Sequence, residues 1–201
     1  MTVTAAGVAA GQIHAKLYKG FGSYDSGGVE HPPSNVSGTY SAWYYIPSSY
    51  QVPINTWSNI FQFKEKYSAG GASQSDPSWW IQLSTASWAL GMGGAKWIGA
   101  KPTSNNQPVA MLNRWNNNWT RQIVFMAVPL DRWFDISAVI TQNVSTAYSI
   151  DGQPFDTARA SEYPVSPFHA SSQEWTFGAG NYSTAPNTTL YLGGANFVGA
   201  G

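Results

Sequence analysis

The chain has 201 residues, enough for one large domain with a buried core, and its ten basic residues balance ten acidic ones. Charged residues make up only 10% of the sequence, against roughly 25% in an average soluble protein. Because binding to nucleic acid or to an anionic membrane surface requires a basic excess, we expect neither partner.

Aromatic residues are in excess, with ten Trp, eleven Tyr and nine Phe. A core seldom needs so many Trp, because each buried indole N–H must find a hydrogen-bond partner. The surplus suggests a stacking surface for planar or sugar ligands, and core filling is the alternative. Cysteine is absent, which excludes disulfides, thiolate zinc sites and cysteine nucleophiles.

The low Lys content and the abundance of Ser, Thr, Asn and Gly are typical of a secreted protein. Met1 to Ala10 lack the basic region and the apolar run of a signal peptide. If the protein is exported, we therefore expect its leader to have been removed. No apolar segment approaches the ~20 residues of a membrane span.

Taken in chain order, short apolar runs at a period of two predict β-strands and no helix of any length. The predicted strands are Ile13–Lys19, Thr39–Ile46, Ser58–Glu65, Trp79–Ser84, Trp88–Met92, Pro108–Asn113, Arg121–Val128, Trp133–Thr141, Thr146–Ile150, Glu174–Phe177 and Thr189–Leu192. Asp151-Gly152 has the composition of a tight hairpin turn. The stretch from Asp156 to Ser172 shows no clear strand pattern and is predicted to be a lid or an edge loop.

About a dozen strands without crossover helices predict an all-β fold, an antiparallel β-sandwich or jelly roll. No fixed-period repeat and no linker divides the chain, so we expect residues 1–201 to form a single domain. Because successive side chains of a strand point to opposite faces of its sheet, the alternation also assigns faces.

Three aromatic segments, "TYSAWYYI", "NIFQFKE" and "WWIQLS", each have one apolar face and one face that mixes rings with polar groups. In the second segment Phe61 and Phe63 share the apolar side, and Ile60 is expected opposite them. The mixed faces present Trp43, Tyr45, Gln62, Lys64, Trp80 and Gln82. Rings stack on pyranose units and amides bind hydroxyls, so these residues are the predicted substrate-binding set. A solvated sheet whose rings pack on one another is the alternative.

Other site chemistry has little support in the sequence. His14, His31 and His169 are dispersed, so we expect no metal site and no cofactor, although a structural Ca²⁺ held by carboxylates and carbonyls leaves little sequence trace. Glycoside hydrolysis needs two carboxylates about 5 to 10 Å apart, and no strand has such a pair. Asp131 and Asp135 flank a strand start, where turn and register roles are expected.

Cleavage of a uronate polymer by β-elimination needs a base and a cation or amide that stabilises the intermediate. The candidates are Gln12, His14, His31, Tyr45, Gln62 and Lys64. For each alone, a surface hydrogen bond or a structural strand position is the alternative role. If the protein is a lyase, we expect Lys64, His31 and Tyr45 to be catalytic.

Several segments resemble the heparin-lyase-like and the alginate- and glucuronan-lyase-like polysaccharide lyases. In order, they are "GTYSAWYYIPSSY", "WSNIFQFKEK", "WWIQLS", "DRWFDISAVI…YSIDGQPF" and "TLYLGG". The resemblance covers most of the chain from about Gly38 onward and implies a concanavalin-like jelly roll that contacts polysaccharide. Such lyases usually have an Arg-x-Glu strand ahead of the aromatic strand, whose Arg binds the substrate carboxylate. Here "GGVEHPP" keeps Glu30, which joins the predicted binding set, and lacks the arginine.

The sequence therefore favours a carbohydrate-binding β-sandwich that engages an extracellular polysaccharide on an aromatic-lined concave sheet. A polysaccharide lyase is the first alternative. A structural or adhesive surface protein, recognisable by a long exposed edge or apolar patch, is the second. The missing excess of Lys and Arg favours a neutral polysaccharide over a polyanion. Nothing in the sequence indicates the oligomeric state.

Overall fold

A computed structural model gives the structure of the protein. It describes residues 2–4, 13–20, 23–24, 30–31, 37–52, 58–69, 72–93, 95–115, 121–141, 144–159, 172–181 and 189–200. The surroundings of side chains are described for residues 37–52, 58–63, 80–93, 95–113, 123–141, 144–157, 177 and 190–200.

The described chain consists almost entirely of β-strands. In chain order they are β1 (Thr2–Thr4), β2 (Ile13–Gly20), β3 (Ser23–Tyr24), β4 (Glu30–His31), β5 (Gly38–Tyr45), β6 (Ser58–Ala69), β7 (Ala72–Thr85), β8 (Lys96–Ile98), β9 (Pro108–Trp115), β10 (Arg121–Ala127), β11 (Trp133–Thr141), β12 (Ser145–Ile150), β13 (Gln153–Arg159), β14 (Ser172–Asn181) and β15 (Thr189–Gly199). One short helix, α1 (Ala86–Gly91), lies between β7 and β8.

The strands form two large sheets and a small hairpin. The six-stranded sheet has the order β1-β15-β5-β11-β12-β13, and the seven-stranded sheet has the order β2-β14-β6-β7-β9-β10-β8. All pairings are antiparallel except that of β8 with β10, which is parallel. Within the described part of the chain, strands β3 and β4 pair with each other and with no other strand. Some strands that follow one another in sequence, such as β5 and β6, lie in different sheets, whereas β6 and β7 are neighbours in the same sheet.

The two sheets pack face to face over one aromatic core, as a β-sandwich requires. Tyr40 of the six-stranded sheet and Phe63 of the seven-stranded sheet are fully buried, with their ring centroids 5.2 Å apart and edge to face. Tyr44 donates a hydrogen bond across the core to the carbonyl oxygen of Ile60. Burial raises the pKa of the Tyr40 hydroxyl far above its ordinary value. The predicted antiparallel sandwich is confirmed.

The prediction that Trp88–Met92 forms a strand, and that the chain has no helix, is wrong. Ala86 and Ala89 are both fully buried at a spacing of three, which is a helical spacing. Thr85 caps the helix, since its side-chain oxygen accepts a hydrogen bond from the Trp88 amide at 3.3 Å. The local cap and the helical burial together outweigh the alternation read from the sequence.

The predicted hairpin turn at Asp151-Gly152 is confirmed. Asp151 has φ 54° and Gly152 has φ 70°, the left-handed backbone that a tight two-residue hairpin needs. The following strand, β13, includes the first residues of the stretch expected to be a lid or loop. Residues 160–171 of that stretch lie outside the described residues, and Ser172, its last residue, begins β14. Among the described residues, no helix is long and apolar enough to cross a membrane.

Candidate functional site

A group of amides lies on the outer face of the seven-stranded sheet, away from the main core. In the register of the three central strands, Gln62 of β6 pairs with Trp80 of β7, which pairs with Asn113 of β9. One step along, Asn59 of β6 pairs with Gln82 of β7. We refer to Asn59, Gln62, Trp80, Gln82 and Asn113 as the amide cluster.

A β-bulge at Ile60 places two of these amides side by side. The register of β6 against β7 shifts between Asn59 and Phe61, so that Ile60 is the extra residue. Ile60 belongs to the main core together with Phe61, so the prediction that it lies opposite Phe61 is wrong. Asn59 and Gln62, three positions apart, would alternate between faces in a regular strand; the bulge brings both to the outer face.

Hydrogen bonds join the members of the amide cluster. The indole Nε1 of Trp80 donates to Oε1 of Gln82 at 3.0 Å, and Nδ2 of Asn113 donates to the same oxygen at 3.3 Å. The Gln82 oxygen is thus occupied by two donors, which fixes the plane of its amide. Nδ2 of Asn59 donates to Oε1 of Gln62 at 3.0 Å.

The amide cluster is buried, and its hydrogen-bonding capacity is only partly used. Side-chain exposure runs from 0% at Asn113 to 8% at Trp80. Within the described part of the chain, Oδ1 of Asn59, Nε2 of Gln62 and Oδ1 of Asn113 have no hydrogen-bond partner. A buried polar atom without a partner costs about 1 to 3 kcal/mol, so a water or a ligand that bonded these atoms would be stabilised there.

A second apolar cluster borders the amide cluster on the same face. Met111, which pairs with Gln82, is buried there with Phe125 and with Ala86 and Ala89 of α1. Trp97 stacks on Phe125 with ring centroids 5.2 Å apart. Helix α1 and strand β8 therefore cover one end of this face with apolar side chains, next to the amides.

The outer face of the six-stranded sheet has the opposite character. Tyr191 of β15, Tyr45 of β5 and Trp133 of β11 form one cross-strand row, and Trp43 lies two positions from Tyr45 on the same face. Trp43 and Trp133 are each 46% exposed and Tyr191 is 38% exposed. The rings meet edge to face, with centroids 5.8 Å apart for Tyr45–Trp133 and 5.6 Å for Tyr45–Tyr191. We refer to these four residues as the aromatic face.

Gly193 of β15 lets the two tryptophans lie close against the sheet. A Cβ atom placed on Gly193 would be 2.9 Å from Cβ of Trp43 and 3.2 Å from Cζ3 of Trp133. Trp133 belongs to β11 and Gly193 to β15, with β5 between them. The indole of Trp133 therefore extends across β5 and rests on the glycine, in a gap that only a residue without a side chain leaves.

Charged groups lie beside the aromatic face. Asp135 pairs with Trp43 on the same side of the sheet, and burial raises the pKa of its carboxyl group. Arg132 donates from Nη1 to Oδ1 of Asp151 at 3.1 Å and from Nη2 to the second carboxylate oxygen. This pairing lowers the pKa of Asp151. The described residues contain no group of three or more metal-ligating side chains.

The predicted binding residues divide between these two surfaces. Gln62, Trp80 and Gln82 come together in the amide cluster, whereas Trp43 and Tyr45 lie on the aromatic face, across the sandwich. The prediction that all five share one face is wrong, because β5 joins the six-stranded sheet while β6 and β7 belong to the seven-stranded one. Their roles in binding stay predictions.

The remaining predicted residues are described only in their backbone or not at all. Lys64 lies in β6 beside a second register shift, opposite Pro77. Glu30 and His31 form β4 of the small hairpin, outside both large sheets. His14 lies in β2, and Gln12 is outside the described residues. The side chains of all these residues lie outside the described ones, and their proposed roles stay predictions.

Sequence reasoning missed Asn59 and Asn113 in the amide cluster and Trp133 and Tyr191 on the aromatic face. Asn113 alternates with the buried Leu112 in "AMLNRW", so face assignment in that segment would have found it. Face assignment in "DRWFDI" would likewise have found Trp133. Asn59 depends on the bulge, which leaves no sequence signal.

Comparison with solved structures identifies the fold. The chain is similar to an endo-β-1,4-glucuronan lyase from the fungus Trichoderma reesei, with a TM-score of 0.51 and 14% identity over 99% of this chain and 79% of that chain. It is also similar to an alginate lyase from Pseudomonas aeruginosa, with a TM-score of 0.51 and 10% identity over 82% of this chain and 65% of that one. No protein-family model and no curated protein matches the sequence. The fold is thus a β-sandwich similar to those of these two lyases, and the predicted resemblance in fold is confirmed.

Proposed function

We propose that the protein binds an extracellular polysaccharide at the amide cluster on the outer face of the seven-stranded sheet. The observation that supports this function is the set of buried polar atoms without partners among the described residues. Gln62 Nε2 is a donor, and Asn59 Oδ1 and Asn113 Oδ1 are acceptors. Sugar hydroxyls both donate and accept, so a bound glycan would satisfy groups of both kinds.

The rigidity of Gln82 in the amide cluster suits such a ligand. Gln82 is held rigidly through its oxygen by Trp80 and Asn113, which leaves its Nε2 as the part not engaged by these two residues. Fixed amides lose little side-chain entropy when a ligand binds. The fold gives independent support, because two similar structures with a TM-score of 0.51 are named as a glucuronan lyase and an alginate lyase.

A retention assay tests the proposal. The wild-type protein and Gln62→Leu are incubated with insoluble cellulose, xylan and chitin and, by affinity electrophoresis, with soluble uronate polymers. Loss of one ligand hydrogen bond should weaken binding roughly two- to tenfold. Val139→Ala, an exposed change on the opposite sheet, is the matched control and should bind as the wild type. Equal binding by Gln62→Leu would place the site elsewhere.

A second candidate function is cleavage of a uronate polymer by β-elimination, favoured by the fold. In that reaction a base removes the proton α to the uronate carboxylate, and a donor stabilises the resulting anion. The glycosidic bond then breaks as a carbon–carbon double bond forms, and the leaving oxygen takes a proton from water or from the protonated base. Gln62 Nε2 would be the stabilising donor. The described side chains on the strands of this face include no Tyr, His or Lys, and Lys101, which follows β8, lies with its ammonium 5.8 Å from the ring centroid of Trp97. The base would therefore come from Lys64 or His31.

Ultraviolet absorbance of the unsaturated product separates the two functions. Absorbance that grows with time on glucuronan or alginate and is lost in Lys64→Ala would establish the lyase. Retention on a polymer without any rise in absorbance would show that the protein binds the polymer and does not cleave it. Tyr45, predicted as a third catalytic residue, lies on the far side of the sandwich from Gln62 and is not part of this proposed site.

A further inference from the structure

The rings of the aromatic face are held in fixed positions by their packing on the sheet. The indole of Trp133 crosses β5 and rests on Gly193, where a Cβ atom would approach its Cζ3 to 3.2 Å. The register of β15 against β5 shifts between Leu192 and Ala195, next to this contact. A ring supported by the sheet from below presents its outer side to solvent in a fixed position.

The solvent-exposed aromatic area of this face is large for a surface that binds no partner. Trp43 and Trp133 are each 46% exposed, which leaves on the order of 100 Å² of each ring in water. Single exposed hydrophobic residues are common, but contiguous aromatic groups usually mark a binding surface. Tyr45 of β5 contacts Trp133 of β11 on one side and Tyr191 of β15 on the other, so the rings are contiguous.

The charges beside the rings decide what kind of partner fits. Asp131, Asp135 and Asp151 are three carboxylates, and Arg132, already paired with Asp151, is the one cation among the described side chains beside this face. This negative balance repels nucleic acid, anionic lipid and polyuronates. Carboxylates do accept hydrogen bonds from sugar hydroxyls, and aromatic rings stack on the apolar sides of pyranoses.

We propose that the aromatic face is a second carbohydrate-binding surface, which holds an uncharged polysaccharide by stacking on Trp133 and Trp43. This inference goes beyond the proposed function, because the surface lies on the opposite sheet from the amide cluster and shares no residue with it. Asp135, next to Trp43 in the register, accepts hydrogen bonds from the hydroxyls of the stacked sugar. The surface binds the polysaccharide without cleaving it and keeps the protein attached to the polymer.

Retention on uncharged polymers tests this surface. Trp133→Ala and Trp43→Ala are compared with Trp88→Ala, a matched control, because Trp88 is 43% exposed but lies on α1 against the other sheet. Each of the first two variants should weaken retention on cellulose, xylan or chitin roughly tenfold. Trp88→Ala should bind as the wild type, and circular dichroism should show all three folded.

The possible results separate this inference from the proposed function. Retention lost in Trp133→Ala but kept in Gln62→Leu supports the aromatic face and contradicts the amide site. Retention lost in Gln62→Leu but kept in Trp133→Ala and Trp43→Ala overturns the aromatic face alone. A wild-type protein that binds no uncharged polymer also overturns it. Self-association that disappears in Trp133→Ala, measured by ultracentrifugation, would then assign the face to a second copy of the chain.

Discussion

The two outer faces of the sandwich come from similar sequence patterns and differ in almost every physical respect. On the seven-stranded sheet the polar positions are amides that bind one another and are at most 8% exposed. On the six-stranded sheet the rings of Trp43 and Trp133 are 46% exposed. An alternating strand therefore specifies that it has two faces, but its cross-strand neighbours decide whether the second face is buried or exposed.

This difference predicts opposite responses to substitution. Removing a member of the amide cluster leaves buried donors without acceptors, which lowers the free energy of unfolding. Removing an exposed ring of the aromatic face should leave stability nearly unchanged and alter only binding. Because a domain is stable by only about 5 to 15 kcal/mol, the first class of variants must be checked for folding before its binding is interpreted.

The largest effect on stability is expected for a core residue that packs the two sheets against each other. Phe63 is fully buried and its ring contacts Tyr40 and Tyr148 of the other sheet. Phe63→Ala should lower the free energy of unfolding by about 3 to 5 kcal/mol, through lost burial and the cavity left behind. Chemical denaturation followed by tryptophan fluorescence and by circular dichroism measures the change. Two separate transitions would contradict a single cooperative sandwich.

The next largest effect on stability distinguishes Gln82, whose oxygen accepts two hydrogen bonds, from Gln62, whose Nε2 has no partner among the described residues. Gln82→Leu removes the acceptor of Trp80 and Asn113 and should cost about 2 to 4 kcal/mol of unfolding free energy. Gln62→Leu removes an unpaired donor and one acceptor, that of Asn59, and should cost about 1 kcal/mol or less. Denaturation midpoints of the two variants check the order. An equal loss of unfolding free energy in the two variants would contradict the difference that the hydrogen-bond geometry indicates between Gln82 and Gln62.

A smaller effect is expected at the glycine beneath the aromatic face. Gly193→Ala places a methyl group 2.9 Å from Cβ of Trp43, so the rings must shift, at a cost of about 1 to 3 kcal/mol. Gly194→Ala is the matched control, because nothing lies within 4 Å of its Cβ position. Its stability should stay within about 0.5 kcal/mol of the wild type. Near-ultraviolet circular dichroism should change only in the first variant, and unaltered spectra in both would contradict the packing of Trp133 on Gly193.

Much of the fold could be predicted from the sequence because the alternation is strong where the sheets meet the core. The predicted strand Trp133–Thr141 has the bounds observed for β11, and Phe61 and Phe63 face the core as expected. The turn at Asp151-Gly152 follows from local chemistry alone. In each of these places the local preference and the tertiary environment favour the same structure.

The site could be predicted only in part, because it depends on which strands become neighbours. Gln62, Trp80 and Gln82 lie in strands joined directly in sequence, and they were found together. Trp43 comes from the preceding strand, which crosses to the other sheet, and no local pattern signals that crossing. The bulge that turns Asn59 outward is likewise a tertiary feature.

The smallest expected effect uses pH, because ionisable side chains lie beside the aromatic face, whereas the amide cluster contains none. The Ser48 amide donates to Oδ1 of Asp131 at 2.9 Å and lowers the pKa of that carboxyl from its ordinary value, and the hydrogen bond from Arg132 lowers the pKa of Asp151. A lowered native pKa gives stability that is fully present above the unfolded value and is lost as the pH falls through the native one. Asp135, whose pKa is raised by burial, has the opposite sign and offsets part of the loss.

Acidification from about pH 6 to about pH 3 should therefore lower the denaturation midpoint slightly, and Asp131→Asn and Asp151→Asn should each reduce that loss. Asp135→Asn should increase the loss, because it removes the group that gains stability when protonated. Gln62→Leu, on the other face, should change the midpoint by the same amount at both pH values. Two results would contradict the assignment of these titrating groups to the aromatic side of the sandwich. One is a change in the pH dependence of the midpoint in Gln62→Leu, and the other is an unchanged pH dependence in all three aspartate variants.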